Sequence, residues 1–126
     1  MAGWYVSQGP YPVLRIGRVA VVTLPEEIDV TIAGTVQEEL LVGLNAGAAL
    51  LIADMSKTTF CDSAGVSALV RAFRRASASG SSLRLVVSTP AVQRVLSITG
   101  VDRLIGTFPS AAAALAGPYD GPDQPG

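Results

Sequence analysis

The run Thr58-Thr59-Phe60-Cys61-Asp62-Ser63-Ala64-Gly65-Val66 separates two segments of different hydrophobic period. Before it, Ala48-Ala49-Leu50-Leu51-Ile52-Ala53 is continuously apolar and predicts a buried strand; after it, Val66, Leu69, Val70 and Phe73 recur at helical spacing. Ser63 thus stands at a strand-to-helix turn, its side chain expected near the N–H groups that the first turn of a helix leaves without intrahelical acceptors. Such a turn favours an anion, because those donors coincide with the positive end of the helix dipole.

Downstream, the spacing predicts a helix from about Ala64 to Ser79 that buries Val66, Leu69, Val70, Phe73 and Ala76 and turns Ser67, Arg71, Arg74 and Arg75 outward, with Gly80 closing it. Leu83 to Val87 reads as a strand, and Pro90 opens a helix with Val92, Val95 and Leu96 inward that Gly100 ends. Leu104 to Phe108 is an edge strand, and Pro109-Ser110 begin an alanine-rich helix through Leu115. Upstream, Ile32, Val36, Leu40 and Leu44 form the stripe of a helix from about Thr31 to Asn45, with Asp29 or Thr31 as its cap and Gly47 just past its end. Gly34 and Gly43 each weaken that helix by ~1 kcal/mol relative to alanine, a cost the buried stripe outweighs. Val13–Ile16 and Val19–Leu24 flank Gly17-Arg18 at the spacing of a two-residue hairpin, and Pro25 ends the second strand.

Two further stretches join these elements in a resemblance. Asp62-Ser63-Ala64-Gly65-Val66, preceded by its apolar strand, resembles the Asp-Ser-x-Gly segment of the STAS domain as found in bacterial anti-sigma factor antagonists. Glu27-Ile28-Asp29 resembles that family's Gly-Glu-hydrophobic-Asp turn, with Glu26 where a glycine is usual. Pro90-Ala91-Val92-Gln93-Arg94-Val95-Leu96, followed by Thr99-Gly100-Val101, resembles its third helix and exit, so the similarity spans about residues 13 to 115. The expected fold is a single α/β domain of STAS type. Its mixed sheet of four to five strands opens with an antiparallel hairpin and packs with about four helices. Residues 1–10 are expected as a loose lead-in, 11–116 as the domain, and 117–126, with three prolines and three glycines, as a disordered tail.

Composition narrows the chemistry. The 126 residues, 49% hydrophobic and 15% charged, suit one domain with an ample core, and a net charge of −1 gives no general attraction to nucleic acid or anionic membrane. One cysteine rules out an intrachain disulfide. With no histidine, Ser-His-Asp and Cys-His nucleophile systems are excluded and no zinc site is expected. Neither phosphate-cradling glycine motif occurs, so no nucleotide cofactor is expected. No leader and no apolar run near ~20 residues is seen, which predicts a cytoplasmic protein.

Taken alone, Ser63 reads as a helix cap; the resemblance implies that it is the phosphoryl acceptor, and Ala64 offers no competing hydroxyl. Asp62 reads as a turn or cap residue, or as an acid that orients the Ser63 hydroxyl. Asp29 reads as a helix cap, or, as the resemblance implies, as an acid beside the serine. Thr58 and Thr59 read as structural strand-end residues, with a secondary acceptor role as the alternative, and Cys61 as a small buried hydrophobe. Gly65 fits a close backbone approach. Arg71, Arg74 and Arg75 form either a solvated face or part of an interface with an acidic partner. The expected partner surface comprises Asp29, Asp62, Ser63, Ala64, Gly65, Ser67 and Arg71.

The resemblance implies an anti-sigma factor antagonist. Dephosphorylated, it binds an anti-sigma factor that is also a serine kinase, freeing a sigma factor; phosphorylation of Ser63 by that kinase, which brings the ATP, switches it off, and a serine phosphatase resets it. On this reading the protein is not an enzyme, contacts no nucleic acid or membrane directly, and leaves weak homodimerisation open. The alternative is a STAS scaffold or small-ligand module in a signalling or transport assembly, without the switch. A serine hydrolase is the third reading, weakened by the absent histidine and by Lys57 being the one lysine near Ser63.

Overall fold

The apolar runs become strands buried on both faces, and the amphipathic segments become the helices that cover them. The computed structural model describes residues 4–6 and 9–117. In chain order its elements are β1 (Trp4–Val6), β2 (Val13–Ile16), β3 (Val19–Thr23), β4 (Glu27–Ile28), α1 (Ala33–Asn45), β5 (Leu50–Met55), β6 (Phe60–Cys61) and α2 (Ser63–Ala78). There follow β7 (Ser82–Val87), α3 (Pro90–Thr99), α4 (Val101–Leu104), β8 (Gly106–Phe108) and α5 (Ala111–Ala116). The main sheet runs β1-β2-β3-β5-β7-β8, with β4 and β6 forming a separate two-stranded ladder. β1, β2 and β3 pair antiparallel, whereas β3, β5, β7 and β8 are parallel, so the expected hairpin is followed by helical crossovers.

Alternation along the strands divides the interior in two. Ala20, Val22, Leu51, Ala53, Leu83 and Leu85 join Val36, Leu40, Leu69, Ala72, Val92 and Leu96 in the larger core, beneath α1, α2 and α3. Val19, Val21, Leu50, Ile52 and Val86 face the other way and pack with Ala114 of α5, alongside the half-buried Phe108, Ala111 and Leu115. Burial on both faces is why Leu50 to Ala53 carries no polar alternation. Gly43, which weakens α1 as a helix, lets it lie close to the sheet: a Cβ there would come within 2.9 Å of Leu51 Cδ1.

Several boundaries differ from expectation. Trp4–Val6 is no loose lead-in but an edge strand, since the hairpin leaves the outer side of β2 with unpaired N–H and C=O groups that it can satisfy. The first helix starts at Ala33, after a separate turn over Asp29–Ile32, and neither Asp29 nor Thr31 is its cap residue. A one-turn helix, α4, occupies the stretch after Gly100, which delays the last strand to Gly106. Of the tail expected to be disordered, all but Gly117 lies outside the described residues.

Arg84 was read only as part of a strand, yet it is 4% exposed. Its place on β7 puts it on the α5 side of the sheet, where Nη1 donates to Ala114 O at 2.6 Å and Gly117 O at 3.3 Å and the guanidinium lies 5.6 Å from the Phe108 ring centroid. The carbonyls at a helix C-terminus lack intrahelical donors and carry the negative end of the dipole, so a cation there serves both needs. Arg84→Ala should lower unfolding stability by about 2–3 kcal/mol, because the buried acceptors lose their donor. Arg74→Ala on the exposed face of α2 should stay within about 0.5 kcal/mol. Urea denaturation of both variants checks the contrast.

Candidate functional site

The turn before α2 is braced by a second segment of chain. β4 and β6 pair in parallel with Glu27 opposite Phe60 and Ile28 opposite Cys61, and Asp62 N–H continues the ladder to Ile28 O at 3.1 Å. The loop entering β6 is tied down as well. The buried Thr58 hydroxyl donates to Pro25 O at 2.8 Å, Thr59 N–H donates to Glu26 O at 2.8 Å, and the Thr89 hydroxyl donates to Thr58 O at 2.7 Å. Thr58 is therefore structural.

Asp62, with extended backbone, is the cap of α2: its Oδ1 accepts from Ala64 N–H at 3.0 Å and Gly65 N–H at 3.1 Å, while its carbonyl takes Val66 N–H at 3.0 Å. Ser63 is consequently the first helical residue and does not cap. Its side chain is exposed, and its own N–H is the one first-turn donor without a partner among the described residues. The expected set of free donors is thus mostly taken by the neighbouring carboxylate. What reaches an anion at Ser63 is one N–H and the helix dipole.

Gly65 makes the close approach. A Cβ on it would lie 2.7 Å from Cys61 Sγ, 2.8 Å from Ile28 Cγ2 and 3.2 Å from Ile28 O, so the first turn of α2 seats directly on the β4–β6 ladder. Gly65 is buried and offers a partner no surface; Ala64 is half-buried, and Ser67 and Arg71 are exposed farther along the helix. Asp29 follows Ile28 as Asp62 follows Cys61, so the parallel register sets the two acids at the same end of the ladder. Asp29 Oδ1 accepts from the Thr31 hydroxyl and from Thr31 N–H at 2.9 Å. Those bonds, the hydroxyl's first, hold its carboxyl below the usual carboxylate range. The turn is accordingly firmest above that range and loosens as acid protonates Asp29.

Two residues at this surface escaped the sequence reading: Val30, 73% exposed, follows Asp29, and Phe60, 49% exposed, precedes Cys61. Apolar residues between polar neighbours look like ordinary core residues, and only the register of β4 against β6 shows them beside the serine turn. On α2, the exposed residues Ser63, Ser67, Arg71 and Arg74 fall at successive helical turns along one stripe. Arg71 reaches Gln37 Oε1 at 3.4 Å and Arg75 reaches Asn45 Oδ1 at 3.2 Å, both neutral acceptors on α1. Among the described residues, no cluster of three or more acidic, Cys or His side chains could hold a metal ion, and no helix is long and apolar enough to cross a membrane.

The family model of the STAS domain matches residues 11–114. The chain belongs to the STAS domain family. Among solved structures, a Mycobacterium paratuberculosis anti-sigma factor antagonist is similar at 24% identity and a TM-score of 0.76, covering 83% of this chain and 89% of that one. The anti-sigma factor antagonist SpoIIAA in its unphosphorylated form is similar at 20% identity and a TM-score of 0.69, covering 82% and 92% of the two chains. Its Bacillus form solved phosphorylated is similar at 17% identity and a TM-score of 0.63, over 82% and 96%. A sulfate transporter family protein from Wolinella succinogenes is similar at 19% identity and a TM-score of 0.71, over 80% and 84%. At these identities the likeness establishes the fold. No curated protein matches the sequence.

Two outcomes follow from the packing of this turn. Gly65→Ala should destabilise the STAS domain by about 1–3 kcal/mol through overpacking against Ile28, and Asp62→Ala by about 1 kcal/mol through loss of the cap, both measurable by urea denaturation. Burial first, and the Asp62 charge second, push the Cys61 thiol up to about 11 from 9.0. The unfolded chain therefore releases this proton at lower pH than the folded one, so the contribution of Cys61 weakens stability as pH rises from 9.0 to about 11. A thiol-reactive probe at pH 8 should label the native protein far more slowly than the urea-unfolded one.

Proposed function

We propose that this STAS domain is an anti-sigma factor antagonist whose docking surface is the β4–β6 ladder and the leading half of α2, switched by phosphorylation of Ser63. The observation that carries the reading is an exposed serine hydroxyl on the first residue of a helix whose cap is already supplied by its neighbour. A phosphoryl group there adds about −1.5 to −2 charges at a helix N-terminus, a position the fold tolerates. A docked partner meets those charges together with Asp62 and Asp29 and must desolvate them, which weakens the complex. The domain thus changes partner without changing shape. Solved neighbours that are anti-sigma factor antagonists, one in both unphosphorylated and phosphorylated forms, support this assignment.

Val30 and Phe60 supply apolar anchors in this surface, and Asp29, Asp62, Ala64, Ser67 and Arg71 surround them. Arg71, Arg74 and Arg75 make no ion pair among the described residues, so the stripe leading from Ser63 offers uncompensated positive charge to an acidic partner. In the transfer itself, the Ser63 oxygen bonds to the γ-phosphorus of ATP, the bond to the β–γ bridging oxygen breaks, and ADP leaves. The hydroxyl proton passes to a base on the kinase, which also brings the nucleotide and its metal. The domain acts as substrate and binding module, not as enzyme. Hydrolysis of the phosphoserine by a serine phosphatase restores binding, and the cycle belongs to the cytoplasm.

A second reading rests on the Wolinella neighbour: a STAS module that serves a transport or signalling assembly without the switch. The experiment is a binding and phosphorylation comparison with an anti-sigma factor kinase captured by the wild-type domain. Ser63→Ala should bind with near wild-type affinity and take no label from γ-labelled ATP, Ser63→Asp should bind at least about tenfold more weakly, and association should slow as salt rises. Undiminished labelling of Ser63→Ala would remove the site assignment, and equal binding by Ser63→Asp would favour the scaffold reading.

A further inference from the structure

Away from the serine turn, a cavity of about 260 Å³ opens between α3, α4 and the last strand. Its walls include Val87 and Phe108, the final residues of the parallel strands β7 and β8, and Leu96 of α3. The carboxyl ends of parallel strands are where open α/β sheets most often take ligands. Three polar groups interrupt the apolar lining: the Gln93 amide, the Thr107 hydroxyl and the Asp102 carboxylate. Asp102 Oδ1 is fully enclosed and has no hydrogen-bond donor among the described residues. Arg103, 76% exposed, keeps its Nη1 4.0 Å away, outside hydrogen-bond reach.

We propose that this cavity binds a compact organic cation, a primary ammonium on a short hydrocarbon body, with the ammonium on Asp102 and the hydrocarbon against Val87, Leu96 and Phe108. An enclosed carboxylate oxygen without a donor is unfavourable, and a cationic N–H group relieves both its charge and its missing hydrogen bond. An anion is repelled by the same carboxylate. A hard metal ion needs six or more oxygens, which one carboxylate, one amide and one hydroxyl cannot furnish. A purely apolar guest leaves Asp102 unsatisfied. The volume, just below the usual range for drug-sized ligands, limits the guest to roughly ten non-hydrogen atoms. The site is independent of Ser63 and stands whichever reading of the serine turn holds.

The test is amide NMR of the full chain titrated with n-pentylammonium chloride, with pentan-1-ol as the uncharged isostere. The ammonium should give saturable shifts centred on Val87, Leu96, Thr107 and Phe108, with the alcohol at least about tenfold weaker. Asp102→Asn should weaken ammonium binding by a similar factor, and Arg103→Ala, at an exposed position, should tighten it a few-fold by removing a neighbouring cation. Shifts that do not saturate, or scatter away from these residues, would overturn the proposal. So would equal affinity for the alcohol, or affinity unmoved by Asp102→Asn. Should Asp102→Asn lose its dispersed spectrum, an Arg103→Ala variant that fails to tighten would overturn it equally.

Discussion

The seating of α2 on the β4–β6 ladder is the constraint on which the site depends. The helix approaches so closely that residue 65 has no room for a Cβ against Ile28 and Cys61. At the same turn Asp62 bonds in two directions, through its N–H to Ile28 O and through its carboxylate to the N–H groups of Ala64 and Gly65. With Asp62 held on both sides, the next side chain has only the outward direction left. The exposure of Ser63 is therefore imposed by backbone geometry and does not depend on its own contacts.

That arrangement separates the group that can change from the groups that hold the fold. Cap, ladder and core contacts involve Asp62, Gly65, Ile28 and Cys61, whereas the Ser63 hydroxyl takes part in none of them among the described residues. Charge added to that oxygen acts on whatever approaches the surface, where Asp29 and Asp62 already supply negative charge and Val30 and Phe60 supply apolar contact. The arginines farther along α2 carry the opposite sign. A surface divided in this way is sensitive to the charge state of the residue at its leading end.

The two faces of the sheet are stabilised by different means. On the α1–α2 face, aliphatic side chains from strands and helices fill a continuous core. The opposite face is narrower, and the short α5 that helps cover it buries little area of its own. Arg84 compensates by reaching through from β7 to the carbonyls at the end of that helix, a polar contact where burial area is limited. Hydrophobic periodicity revealed the first arrangement, because Val36, Leu40, Leu69 and Leu96 repeat at helical spacing. It could not reveal the second, since an arginine between two leucines reads like any outward-facing strand residue.

By itself the sequence determined the order and type of the main elements, the antiparallel start followed by parallel crossovers, and the position of Ser63 at a helix start. These follow from local periodicity and turn chemistry, which act over a few neighbouring residues. Tertiary structure alone decided which residue caps α2, which N–H groups stay free, that Gly65 is buried and that Val30 and Phe60 flank the serine. It also decided that Trp4–Val6 closes the sheet edge and that Asp102 walls a cavity. Each of these depends on segments tens of residues apart meeting in a particular register, and pairing of that kind leaves no periodic trace in either segment alone.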